Sequence, residues 1–361
     1  MAMFLNNSYS YKRYKKISNT TYFIDKSCIL DDILRCMEEE TQYICITRPR
    51  RFGKTVMANM LGAFLGRSWN SSDIFDHLKI SSSERYSRYR NQYDIIYIDF
   101  SRLPENCVSY QQYIDRIISG LKKDLLNAYP ESALDSDLSV WDMLSMISDQ
   151  SDCSFVFIMD EWDAVFHMPF ITEKDKAEYI LFLKALLKDQ DYVALAYITG
   201  ILPIAKYSSG SELNMFMEFK MTSMEMFGEY FGFTDSDVKN ILEYYELSEH
   251  YDEIKMWYDG YRFGNVEVYC PWDVINYCDE LRINHMAQPQ NYWSNTSSNE
   301  AVKRFIHETD KGTVRKEIEK LIAGETIVKE IHQELTYQDM YIIKIFDFRI
   351  AKLLIKIPAK I

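Results

Sequence analysis

Along the first two-thirds of the chain, short apolar runs alternate with longer stretches of helical periodicity. The runs are Tyr43–Ile46, Ile95–Phe100, Phe155–Met159 and Tyr192–Ile198. Each has strand length and almost no polar interruption, the pattern of strands buried on both faces of a parallel sheet. Between them, Ile29–Glu40, Val56–Leu65, Tyr110–Ala128, the region of Trp141–Asp149 and Glu173–Leu187 repeat apolar residues at helical spacing. In the last of these, Tyr179, Leu183, Leu186 and Leu187 fall on one face. Strands alternating with helices predict an α/β fold, a three-layer sandwich around a parallel sheet. Tyr22–Lys26 reads as a short extended segment and Trp69–Gln92, rich in Ser, Asp and Arg, as irregular. Residues 1–20, polar and basic, read as a flexible lead-in.

From about Thr222 the texture changes. Thr234 followed by Asp237 is a capping-box signal for a helix running on through Val238–Tyr245. Glu249–Trp257 and Pro271–Cys278 are again helical, Val266–Cys270 reads as a strand of a hairpin, and Asn291–Ser298 leads into a helix at Asn299–Glu308. The expected organisation is a P-loop domain over 21–221, a mostly helical lid over 222–310, a further region over 311–340 and a distinct tail over 341–361.

The candidate chemistry sits at the ends of the predicted strands. After Tyr43–Ile46 comes Arg48-Pro49-Arg50-Arg51-Phe52-Gly53-Lys54-Thr55-Val56, which opens the next helix. Strand, loop, Gly-Lys-Thr, helix is a phosphate cradle. Gly53 admits the backbone to a phosphate oxygen, and the helix N-terminus favours negative charge. Lys54 is placed to reach the β and γ phosphates, and Thr55 to offer its hydroxyl to Mg²⁺. Arg48 stands where the general pattern has its first glycine. A basic surface loop preceding a helix is the competing reading of this stretch alone. The run Phe155–Met159 ends in Asp160-Glu161, a carboxylate pair suited to holding Mg²⁺ (Asp160) and to activating water as general base (Glu161). Thr199, at the end of Tyr192–Ile198, is placed to bond the γ-phosphate or the attacking water, though a Thr before Gly is also an ordinary turn residue. Arg48, Arg50 and Arg51 are candidates for neutralising γ-phosphate charge or reaching a neighbouring subunit, with binding of acidic groups of the lid as the alternative, and Phe52 and Val56 complete the candidate nucleotide-binding loop. Arg262 is a candidate nucleotide sensor beside a turn that Gly260 permits.

Composition narrows the class. The net charge of −13 argues against a surface built throughout for nucleic acid. The seven cysteines are scattered without a CxxC, which suits a reducing cytosol and offers no thiolate metal site. The N-terminus lacks the apolar core of a signal peptide, and no apolar run approaches the roughly 18 residues of a membrane span. A cytoplasmic protein is therefore expected.

Several stretches together resemble one family. They are YFIDKS (22–27), TRPRRFGKT (47–55), IMDEWD (158–163), ITG (198–200), WYDGYRFG (257–264), VYCPWDVINY (268–277) and YWSNTSSN (292–299). The chain is similar to the prokaryotic AAA-ATPase-like proteins over about residues 18–340. The resemblance implies an ATP-binding P-loop fold followed by a nuclease-like domain of PD-(D/E)XK type. Arg48 agrees with that family's loop. Past Glu334–Tyr337 the resemblance fails, no nuclease core is legible, and residues 341–361 read as an aberrant, truncated end whose apolar residues favour association. Hydrolysis of ATP with Mg²⁺, coupled to a conformational change, is the leading expectation. A slowly turning nucleotide-gated switch acting through a protein partner is the alternative, and a remnant of a nucleic-acid enzyme a third.

Overall fold

A computed structural model describes residues 2–204, 211–220 and 226–292. The chain divides into two compact units, 1–231 and 232–361. The expected boundary at 221/222 lies ten residues too early. Phe227 packs its ring on Phe219 at 4.6 Å, and Arg48 lies 5.2 Å over the Phe231 ring, so these aromatics belong to the first unit.

The first unit is built on five parallel strands: β1 (Tyr43–Thr47), β2 (Asp94–Asp99), β3 (Phe155–Asp160), β4 (Val193–Gly200) and β5 (Met217–Phe219), in the order β2-β3-β4-β1-β5. Its helices are α1 (Tyr9–Ser18), α2 (Ile29–Glu38), α3 (Lys54–Leu65), α4 (Ser72–Phe75), α5 (Tyr86–Tyr89), α6 (Tyr110–Ala128), α7 (Val140–Ser151) and α8 (Glu173–Leu187). Successive side chains of a strand point to opposite faces, so each strand serves two layers. Phe155, Phe157 and Met159 of β3, with Ala196 and Ile198 of β4, join Tyr113 and Ile117 of α6, Leu144 and Ile147 of α7 and Leu183 of α8 in one core. The residues out of phase with these, Ile158 among them, face α3 and α1. A methyl group at Gly62 of α3 would lie 3.1 Å from Ile158 Cδ1 and 2.6 Å from Ser10 Oγ of α1, so a bare glycine lets all three elements close.

The N-terminal residues are not a flexible lead-in. The Asp124 carboxylate accepts from the backbone N–H groups of Met3, Phe4 and Leu5 at 2.7–3.1 Å. Leu5 bridges Ile96 in antiparallel fashion, which covers the open edge of β2. Phe4, Leu5 and Tyr14 are buried. The stretch 69–92 is likewise ordered, into α4, α5 and a 3₁₀ turn at Lys79–Ser82, which bury Phe75, Ile80, Tyr86 and Tyr89. Tyr22–Lys26 joins no sheet.

The described part of the second unit is mostly helical, with β6 (Phe233–Thr234), α9 (Asp235–Tyr244), α10 (Tyr251–Tyr258), β7 (Tyr261–Phe263), β8 (Val266–Tyr269) and α11 (Pro271–Ile283). The three strands form a small antiparallel sheet, order β6-β8-β7. Thr234 and Asp237 make the capping box read from the sequence. Gly260 takes φ +126°, a value L residues avoid, and frees the entry to β7. The expected helix at 299–308, the region 311–340 and the tail 341–361 lie outside the described residues. No helix among the described residues is long and apolar enough to cross a membrane.

Candidate nucleotide site

The carboxyl ends of three adjacent strands, β3, β4 and β1, converge in the first unit. Such an end is where open parallel sheets place their ligands. Strand phase decides which side chains meet there. Asp160 is in phase with Ile158, and Thr199 is out of phase with Ala196 and Ile198, so both turn to the α3 side. There α3 begins with Lys54 and Thr55, directly after Gly53.

Asp160 is the hub. Its carboxylate accepts from the Thr199 hydroxyl and, at 3.3 Å, from the Tyr97 phenol of β2, and the Thr55 side chain beside it favours its charged form. Burial raises its pKa above the ordinary carboxylate range, against the two threonine hydrogen bonds that favour the charged form. A hydroxyl and a carboxylate joined at a helix start are hard oxygen donors of the kind Mg²⁺ takes.

Glu161 sits one residue beyond the strand in the left-handed conformation, φ +52°. A non-glycine residue there is strained and needs support. Its N–H donates to Thr199 Oγ1 at 3.4 Å, and its carbonyl accepts from Ala164 at 2.9 Å in a buried 3₁₀ turn, Trp162–His167. The kink carries its carboxylate out of the strand alternation and towards Lys54, whose Nζ lies 3.7 Å from Glu161 Oε1. The ammonium also donates to the Pro49 carbonyl at 3.1 Å, within its own loop. Gly53 takes φ +90° and Arg51 φ +73°, and these two left-handed residues curl the loop around Lys54.

The candidate residues fall into groups. Lys54, Thr55, Asp160, Glu161 and Thr199 are brought together. Arg50 and Arg51 are exposed on the loop, Phe52 is buried beneath it and Val56 is half-buried in the first turn of α3. The Arg48 side chain is buried, with Nη1 donating to the carbonyls of Phe219 at 2.6 Å and Thr47 at 2.9 Å, and its backbone N–H donates to the Gly200 carbonyl at 3.2 Å. With these bonds made inside the protein, Arg48 braces β5 against β1. Arg262 belongs to the second unit, exposed on β7 opposite Glu267.

Two residues escaped the sequence reading. Asp163 accepts from the N–H groups of Ile201 and Leu202 at 2.9–3.2 Å, and Trp162 Nε1 donates to the Leu202 carbonyl at 3.2 Å. Together they fasten the chain leaving Thr199. The signal was the motif IMDEWD itself, whose last two residues had no assigned task. Gly200 makes this clamp possible, because a Cβ there would lie 2.5 Å from the Trp162 ring and 2.7 Å from the Asp163 carboxylate. Gly200→Ala is expected to cost about 1–3 kcal/mol through overpacking, read as a lower midpoint in urea unfolding.

Burial first, and the Glu161 charge second, push the Asp163 carboxyl up to about 6, outweighing the two backbone donors. The folded state therefore holds this proton more tightly than the unfolded chain. Stability is highest below about pH 4 for this group and falls as pH rises towards about 6. Asp163→Asn is expected to flatten that part of the profile, measured as melting temperature against pH for both proteins.

A family model described as predicted AAA-ATPase matches residues 8–209. A curated relative, an uncharacterized protein in the vnfD 5′ region of Azotobacter chroococcum mcd 1, is 23% identical over 260 residues, covering 70% of this chain and 48% of its own length. The chain thus spans about half the length of that relative. Among solved structures, the Aeropyrum pernix ORC2 protein in ADPNP–ADP complexes aligns over 92% of this chain and 89% of its own, at 9% identity and a TM-score of 0.36, too remote to carry an argument. The family match spans more than half of the chain and takes in both the Arg48–Val56 stretch and the strand ending in Asp160: this protein belongs to the predicted AAA-ATPase family.

Proposed function

We propose that this protein binds ATP with Mg²⁺ at the carboxyl ends of β1, β3 and β4, hydrolyses it, and couples the cycle to a conformational change. The observation that carries the reading is the chain Thr55–Asp160–Thr199, set beside the pair Lys54–Glu161. Thr55 and Asp160 would hold the Mg²⁺, which when bound neutralises phosphate charge. Lys54 leaves the Pro49 carbonyl and Glu161 and turns to the β and γ phosphates. Glu161, released from Lys54, takes a proton from the attacking water as general base. Thr199 holds Asp160 in place and is proposed to bond the γ-phosphate or the attacking water. Arg50 and Arg51, exposed on the loop, are proposed to meet γ-phosphate charge, and Arg262 is proposed as the sensor of the second unit.

Calorimetric titration of the full chain with ATP and with GTP, each with and without Mg²⁺, tests the reading alongside phosphate release. Saturable binding of ATP, tightened by Mg²⁺ and followed by phosphate release, is expected. Failure of both nucleotides to bind overturns it, and binding without release leaves the nucleotide-gated switch in its place.

A further inference from the structure

We propose that the second unit carries a site for a borderline transition metal ion, Zn²⁺ being the representative, built from Glu249, His250 and His285. One ligand atom from each of the three lies within 4.8 Å of the others. His250 Nε2 is 3.8 Å from Glu249 Oε1, near the roughly 3.4 Å that separates two donors bound tetrahedrally at about 2.1 Å. A shift on the order of 1 Å in exposed side chains closes the shell around an ion. Two imidazoles and one carboxylate are a donor set that such ions favour, and one position is left for water.

What distinguishes this cluster from surface residues that happen to be close is its support. His250 Nδ1 faces Glu253 Oε2 at 3.5 Å. A neutral imidazole giving its Nδ1 proton to Glu253 turns the Nε2 lone pair towards Glu249. A carboxylate backing a histidine in this way is the usual outer layer of a metal site, where it fixes the tautomer and raises ligand basicity. The Tyr277 hydroxyl donates to Glu253 and shares its proton with the Ala287 carbonyl 3.1 Å away. That second contact pins the turn carrying His285, which is also closed by Met286 N–H to Asn284 Oδ1 at 3.1 Å and Ala287 N–H to the Asn284 carbonyl at 2.9 Å. One tyrosine of α11 therefore positions both histidines. A metal would tie the 3₁₀ turn at Ser248–His250 to the turn after α11, which are separated by some 35 residues of chain.

The test is titration of the full, tag-free, reduced and chelator-stripped chain with Zn²⁺ alone, together with the absorption spectrum of the Co²⁺ form. One Zn²⁺ per chain is expected at this site. His285→Ala, at an exposed position that the fold does not need, should weaken binding at least 10-fold. Glu253→Gln, which keeps an acceptor for Tyr277, should weaken it by about 10- to 100-fold. The Co²⁺ form should show ligand-field bands without a thiolate charge-transfer band. Absence of Zn²⁺ binding, equal affinity in wild type and His285→Ala, or a spectrum dominated by thiolate ligation would each overturn the proposal.

Discussion

Glu161→Gln is expected to leave ATP binding intact and to lower turnover by about 100-fold or more, the range for loss of a general base. The expectation rests on where the kink after β3 puts this side chain. Asp160 is buried and accepts from the hydroxyls of Thr199 and Tyr97, with Thr55 beside it. Glu161 is a quarter exposed and held only by a 3.7 Å ion pair with Lys54, so it is the carboxylate free to work once Lys54 turns to a phosphate. Glutamine keeps the size and the left-handed backbone but cannot take a proton. The check is single-turnover hydrolysis beside a binding titration on the same preparation. Unchanged turnover would place water activation elsewhere.

Lys54→Ala is expected to weaken ATP binding by about 2 kcal/mol or more, roughly 30-fold or more, with the fold retained. The ammonium is almost wholly buried, its partners being one carbonyl of its own loop and one partly exposed carboxylate. Water cannot replace it once a nucleotide closes the loop, so its loss would leave phosphate charge unneutralised in a dry site. Calorimetry on the variant, with circular dichroism to verify the fold, decides the matter. Wild-type affinity would end the phosphate-loop assignment.

The loop between β1 and α3, the strand ending in Asp160 and the alternation of strands with helices were legible in the sequence, because each depends on local signals. A buried parallel strand is a continuous apolar run, a helix repeats its apolar face, and Gly53-Lys54-Thr55 after a strand has a chemistry of its own. The bounds of α6 and α8 and the Thr234–Asp237 capping box match the reading for the same reason. Four features depended on partners far away in the chain. The first residues looked like a lead-in because their order comes from Asp124, about 120 positions on. Arg48 looked like a phosphate ligand because the carbonyl that captures it, Phe219, lies 171 residues downstream. Asp163 and Trp162 had no visible task until β4 brought Ile201 and Leu202 beside them. Glu161 was read as a base from its place in the motif, but its direction, out of the strand and towards Lys54, comes from a left-handed residue that only the packed Thr199 and the following turn hold. Sequence by itself thus determined the central strands and long helices and which residue types stand at their ends, since local sterics and burial settle both, while α1, α4, α5 and β5 emerged only in the folded chain. Tertiary structure alone decided which of those residues face one another, because strand phase and long-range hydrogen bonds exist only once the sheet has closed.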